Sequence, residues 1–247
     1  MPQSADQPDY SGIHELLSIE EALPNYNRYL CKRITEYFKK YSSDKDGLTL
    51  EFGAGLGTLA QIFREMNNSP LEVAEIDPEL IRKLQSRGFT NHTNLQQIKY
   101  KFVNVFTSNV LEHIEQDVET LCELIDSMEI GGVLVIYVPA FPILFSSMDT
   151  RVGHVRRYRK KELVAKVTEA GFHVEECVYS DSVGFIASLF LRYLDQKNIV
   201  GTGNKKSLVF YDRVIYPLSV TLDRLGMRFL LGKNLFLVAT KRGNKDK

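Results

Sequence analysis

The chain has 247 residues, 44% of them hydrophobic and 25% charged, enough apolar material for one large or two small domains with a substantial core. Thirty-one basic residues cancel thirty-one acidic ones, so no overall field draws the protein onto DNA, RNA or an anionic bilayer, and any polyanion contact has to be local. The opening MPQSADQPDY has no basic segment followed by an apolar core, which predicts no export signal and a cytoplasmic location. Cys31, Cys122 and Cys177 lie far apart without C-x-x-C spacing, which argues against a disulfide framework or a cysteine zinc site.

Residues 13–41 carry apolar side chains at helical spacing, among them Tyr29, Leu30, Ile34, Tyr37 and Phe38, and predict one or two helices before the first strand. Strand-type runs LTLEF, LEVAEI, FVNVFTS and GVLVIYV then alternate with helical stretches at 57–66, 78–87 and 116–128. Nearly continuous apolar strands between helices of this length imply a doubly wound α/β domain, its mostly parallel sheet covered on both faces. A helix over 160–170, ended by Gly171, leads into a strand in FHVEECVYS.

Residues 182–233 interrupt the rhythm before the last strand, NLFLVATKR, with apolar helical stretches over 183–195 and 207–230. No apolar run in this insertion approaches the roughly 20 residues that span a bilayer, which leaves a lid over an acceptor pocket, a subunit interface or a membrane-peripheral patch. The reading is thus an N-terminal helical segment (1–45), a cofactor-binding domain (46–181 with 234–243) and a helical insertion (182–233).

The stretch EFGAGLGTLA, residues 51–60, places Gly53, Gly55 and Gly57 directly after the first strand. In an open parallel sheet ligands bind beyond the carboxyl ends of the strands, and bare glycines there let a ligand approach the main chain and the positive end of the next helix. A dinucleotide fingerprint needs glycines at relative positions one, three and six; the sixth position here is Thr58, which disfavours an NAD-dependent oxidoreductase. The second strand ends in AEIDPEL. Asp77, just before Pro78, reads as a helix N-cap and leaves Glu75 at the strand tip to accept hydrogen bonds from ribose hydroxyls.

The arrangement Glu51-x-Gly53-x-Gly55-x-Gly57 resembles motif I of class I S-adenosylmethionine-dependent methyltransferases. NVLEHI at 109–114 and EIGGVLVIYVPAFP at 129–142 resemble the small-molecule branch that includes the ubiquinone-biosynthesis O-methyltransferases. GHVRRY at 153–158, with NYNRYL at 25–30 and the segment of Asp212 and Pro217, resembles a bacterial branch of the same enzymes. The resemblance implies a seven-stranded Rossmann-like sheet, S-adenosylmethionine as methyl donor and S-adenosylhomocysteine as product. It also implies a cofactor site drawn from Tyr26, Glu51, Gly53, Ala54, Gly55, Gly57, Glu75, Ile76, Asn91 and Asn109. Two departures stand out. Phe102-Val103 replaces the usual Phe-Asp at the start of strand four, and Asn91 or Asn94 stands where an acid reads the adenine amino group, although either amide can accept that bond.

For the chemistry, His154 and His113 are the candidate bases. His113 also reads as a packed or capping ring. Arg156, Arg157 and Tyr158 suit an acceptor pocket for a carboxylate or phosphate, or else a basic loop whose arginine pins it to the fold. Tyr26 either closes over the methionine part of the cofactor or packs in the core. The expected reaction is methyl transfer to a small, hydrophobic or anionic acceptor, more readily at oxygen than at nitrogen or carbon. A non-catalytic cofactor-binding protein is the competing reading. SNVLEHI stands where a base-flipping enzyme carries Asn/Asp-Pro-Pro-Tyr/Phe, which disfavours a nucleic-acid substrate. The spacing of acids, histidines and cysteines implies no required metal.

Overall fold

The computed structural model describes Leu17, residues 20–195 and residues 205–243. Residues 13–16, 18 and 19 of the predicted helical pattern and the predicted insertion segment over 196–204 lie outside the described residues. Seven strands form one sheet: β1 Thr49–Phe52, β2 Leu71–Ala74, β3 Asn91–His92, β4 Phe102–Ser108, β5 Met128–Pro139, β6 His173–Ser180 and β7 Asn234–Thr240. Their order is β3-β2-β1-β4-β5-β7-β6. The pairs β3-β2-β1-β4-β5 are parallel, and β7 runs antiparallel between β5 and β6.

Two-residue periodicity divides the apolar residues of the central strands between the faces. Val133, Val135 and Tyr137 of β5, with Phe236 and Val238 of β7, pack under α1 Pro24–Tyr41 and α2 Thr58–Met66 through Leu30, Ile34, Phe38 and Phe63. Leu134, Ile136 and Val138, with Leu235 and Leu237, face α4 Asp117–Asp126 and α6 Lys160–Glu169 through Leu121, Leu124, Leu163 and Val167. This two-sided cover confirms the doubly wound class. Between β2 and β3, α3 Pro78–Ser86 starts as the sequence predicts: Asp77 Oδ1 accepts from the amides of Glu79 and Leu80, and Pro78 is the first helical residue.

The strand order reverses between β1 and β4, and the glycine turn leaves β1 at that switch point. The insertion starts with α7 Ser182–Asp195 and continues through α8 Lys205–Phe210, a π-helical turn Tyr211–Ile215 and α9 Tyr216–Arg224. It is tied to the N-terminal helix. Asp212, buried in the π turn, accepts from the amides of Asn25 (3.1 Å) and Tyr26 (2.8 Å), satisfying amides that the start of α1 leaves without partners. Among the described residues no helix is long and apolar enough to cross a membrane. Cys31 and Cys177 are buried, Cys122 is exposed, and all three are free.

Candidate active site

Two adjoining groups of residues occupy the carboxyl edge of the sheet. The first is built on the glycine turn. Its backbone folds onto β2, with Gly53 N and Ala54 N both donating to Ala74 O. The glycines do different jobs. A Cβ added at Gly53 would lie 2.3 Å from Val110 Cγ2, whereas one at Gly55 meets nothing within 4 Å, and both residues have positive φ. Gly53 is therefore bare to seat Val110, and Gly55 borders open space that suits a ligand.

Glu75 closes this crevice from the β2 side. Its Oε2 accepts from Gly55 N at 2.9 Å, and its Oε1 accepts from the amides of Ile76 and Asp77 at 2.7 and 3.1 Å. The carboxylate sits at the strand tip within reach of the turn, while Ile76 is 78% exposed beside it. Asn91 donates through Nδ2 to Glu75 O, and its Oδ1 is buried without a partner. Asn94 caps the 3-10 turn Leu95–Gln97 by accepting from Gln96 N. Asn91 Oδ1 thus has no partner, whereas Asn94 Oδ1 is engaged in the cap.

Beneath the turn Glu51 is buried, and its Oε2 has no partner. Burial raises its carboxyl well above the usual range, repulsion from Glu75 adds to this, and a hydrogen bond with the Ala60 backbone only partly offsets it. An orphaned buried oxygen, an unfilled cradle at Gly55 and a positioned carboxylate fit a cofactor with a positive amino group and a ribose. Asn109 stands at the exit of β4 with φ 54°, its amide donating to Tyr137 O. Tyr26 packs against Tyr216 at 4.8 Å and Tyr137 at 6.2 Å, under the insertion.

The second group lies on the loops after β4 and β5. Val110, seated on Gly53, begins a segment whose 3-10 turn is Leu111–His113. After β5, α5 Ser147–Arg151 leads into the GHVRRY loop. His154 N donates to Asp149 O within the loop after β5, and Val155 N donates to Glu112 O, both at 2.9 Å; the second bond joins the two loops through their backbones.

Asp149 is 1% exposed and heavily used. It pairs with His154 Nδ1 at 2.8 Å, with Arg157 through Nε at 2.7 Å and Nη2 at 3.1 Å, and with Ser146 N at 2.9 Å. Burial alone would raise its pKa. Hydrogen bonds from His154 and Arg157 outweigh that and hold the carboxyl well below the ordinary carboxylate range.

On the other side of the imidazole, His154 Nε2 lies 3.7 Å from Glu112 Oε1, and the two histidine rings meet edge to face at 4.7 Å. Glu112 is completely buried. Its carboxyl is pushed up to about 8, chiefly by burial and in small part by Asp149, with its own amide and Arg157 offsetting part of the rise. The surrounding protein packed on one side of the exposed His113 ring, with the neighbouring His154, lowers its pKa, with a partial offset from a hydrogen bond to the Gly153 backbone.

The remaining residues of the GHVRRY string are spent within the protein. Arg156 donates to Asp117 Oδ2 (2.7 Å) and Glu115 O (2.9 Å). Tyr158 is 0% exposed, and its hydroxyl lies 2.7 Å from Asp117 Oδ2 and 3.0 Å from Leu111 O. Lys166 completes the cluster on Asp117. The expectation that Tyr158 touches an acceptor is corrected here, because a closed side chain with a committed hydroxyl offers nothing to one. Arg156 likewise fits the loop-pinning alternative. Sequence reasoning missed Asp117, Asp149 and Glu112. Asp149 carried a signal in its position five residues before a histidine, on the same loop.

Comparison with known proteins matches the methyltransferase domain family over residues 23–177. No curated protein matched. The fold is shared with solved structures of low identity. DesVI of Streptomyces venezuelae superposes with a TM-score of 0.58 at 12% identity, covering 95% of this chain and 99% of that one. An S-adenosylmethionine-dependent methyltransferase of Archaeoglobus fulgidus gives 0.55 at 16% identity, with 87% and 94% covered. Phosphoethanolamine N-methyltransferase 2 of Haemonchus contortus, in complex with S-adenosylmethionine, gives 0.55 at 14% identity, with 86% and 53% covered. With a family match over well over half its length, the chain belongs to the methyltransferase domain family.

Proposed function

We propose that this enzyme methylates a small-molecule acceptor at oxygen, with His154 as the general base. The observation that carries the reading is the Asp149–His154 pair. Asp149, fixed by Arg157, accepts from Nδ1 and so selects the tautomer with its lone pair on Nε2. An imidazole held in this way can take the proton of a hydroxyl or phenol. The bound cofactor supplies an electrophilic methyl carbon on a sulfonium; the protein's task is to hold the acceptor oxygen in line with it and to accept the proton.

In this reading Glu75 exchanges its local amide bonds for the two ribose hydroxyls, and Asn91 Oδ1 accepts from the adenine amino group. Ile76 offers an apolar face to the base, and Glu51 lies beneath the methionine end. Tyr26 and Asn109 flank that end. The seating of Val110 on Gly53 supports the arrangement, since it sets the histidine loops beside the cofactor turn. His113 stands next to the base and contributes to its surroundings. Arg157 positions Asp149.

The test is transfer of labelled methyl from S-adenosylmethionine to a panel of simple and prenylated phenols. His154→Ala is expected to lower kcat by about 10²–10⁴-fold, the usual contribution of general base catalysis, with the affinity for S-adenosylhomocysteine unchanged. Wild-type turnover in that variant removes His154 from the role.

The insertion favours a hydrophobic acceptor met at a membrane surface. Ile186, Leu189 and Phe190 are 60%, 44% and 62% exposed at i, i+3, i+4 spacing on α7, and Leu218, Leu225, Phe229 and Leu230 are exposed nearby. Arg213 and Arg224 are exposed, while the two acids of 205–233, Asp212 and Asp223, are buried. Apolar side chains rimmed by cations suit peripheral contact with an anionic bilayer. Co-flotation with phosphatidylserine vesicles that is lost in Phe190→Ser/Leu230→Ser checks this; a protein that stays at the bottom of the gradient refutes it.

A further inference from the structure

We propose that Glu112, His113 and His154 form a site for a divalent transition-metal ion of the zinc class. One carboxylate oxygen and two imidazole nitrogens from these residues lie within 4.8 Å of one another, close enough to converge on one ion with bond lengths of about 2.0–2.2 Å after small side-chain rotations. Two histidines and one glutamate are a ligand set that zinc takes in sites with an open fourth position.

Independent features of the cluster suit a cation. Glu112 is 0% exposed, and both its carboxyl oxygens lack a hydrogen-bond partner, although its own amide is near. Buried carboxyls are ordinarily satisfied, and leaving one bare is costly; a cation between it and the imidazoles would satisfy it. The outer sphere is already in place. His154 has Nδ1 on Asp149 at 2.8 Å, and Asp149 is clamped in turn by Arg157, the carboxylate–histidine arrangement that orients a metal-binding ring and raises its basicity. His113 stands against Gly153, where an added Cβ would lie 3.7 Å from its Nδ1, and this keeps the ring beside His154.

The histidines are on the exposed side, with His113 open to solvent and His154 half-buried, while Glu112 forms the floor. Val110, which sits on Gly53 of the cofactor turn, is two residues before Glu112, so an ion held there would leave positions open near that turn. A water or an acceptor oxygen can occupy them. An ion on His154 Nε2 takes the lone pair that the proposed base uses, so the two roles belong to the metal-bound and metal-free forms of one site; the assignment rests on these three side chains and does not depend on which acceptor is methylated.

The test is a titration of chelator-treated full-length protein with Co²⁺, followed by its visible ligand-field bands, with back-titration by Zn²⁺. The expected result is one Co²⁺ per chain, displaced by Zn²⁺, with affinity reduced at least about 10-fold in Glu112→Gln and in His113→Ala and unchanged in His173→Ala. Glu112→Gln preserves shape, and His113 is exposed, so circular dichroism is expected to show both variants folded. Absence of the bands in the wild type overturns the assignment. So does their survival at wild-type affinity in either ligand variant, or their loss in the His173 control.

Discussion

Replacing Asp149 with alanine is expected to destabilise the protein by about 3–5 kcal/mol, the range for removing one partner of a buried ion pair, and to lower the melting temperature by roughly 10 °C in a chain of this size. The reason is what remains. Arg157, with a side chain only 10% exposed, keeps its charge and loses two bonds, His154 loses its anchor, and Ser146 N loses its acceptor. Asp149→Asn is the informative companion, because it preserves volume while removing the charge. Its stability should fall less, and its kcat should drop nearly as far as that of His154→Ala, since the amide no longer enforces the Nδ1–H tautomer. A fully active Asp149→Asn enzyme would show that the pair is structural only.

The same residue sets a pH dependence whose sign follows from its depressed pKa. Asp149 contributes its full stabilisation above its unfolded value near 3.8 and loses it as pH falls through the lower folded value. The stability gap between wild type and Asp149→Ala should therefore be flat from pH 5 upward and narrow below pH 4. Chemical denaturation at several pH values measures it. A gap that widens in acid contradicts the assignment.

The second large effect is expected at the glycine turn, where stability and binding separate. Gly55→Ala introduces a side chain into open space at φ +54°, so the cost to the fold is the left-handed backbone alone, about 1–2 kcal/mol. Its Cβ occupies the cradle, and S-adenosylhomocysteine should bind at least 10-fold more weakly. Gly53→Ala meets Val110 Cγ2 at 2.3 Å as well as carrying φ +75°. That change should cost about 2–4 kcal/mol, overpacking added to backbone strain, and should also displace the loop of Glu112 and His113. Equal stability losses in the two variants would mean that the turn is a packing device at both positions.

The parts of this molecule legible in its sequence are those written in local patterns. GVLVIYV alternates between two buried faces, as its length and branching imply, and Asp77-Pro78 announces the start of α3 because capping chemistry is local. Positive φ at all three glycines of the turn follows from their spacing. Other features depend on partners distant in the chain. The polar stretch FTNHTNLQQI holds the third strand by resemblance alone, and its two-residue extent is decided by pairing with Val73 and Ala74. Asp212 reads as one more helical acid until the fold brings it to the start of α1, 187 positions away. Arg156 and Tyr158 look like ligand-binding groups because Asp117, some forty residues earlier, cannot be paired with them by spacing. Glu112 and His154 are separated in the same way, so the cluster with His113 has no linear motif.

The most direct measurement of the central claim is isothermal titration of the wild-type protein with S-adenosylhomocysteine and, separately, with NADH. The account predicts saturable binding of S-adenosylhomocysteine at one site per chain and none of NADH. Binding of NADH with no response to S-adenosylhomocysteine would contradict it.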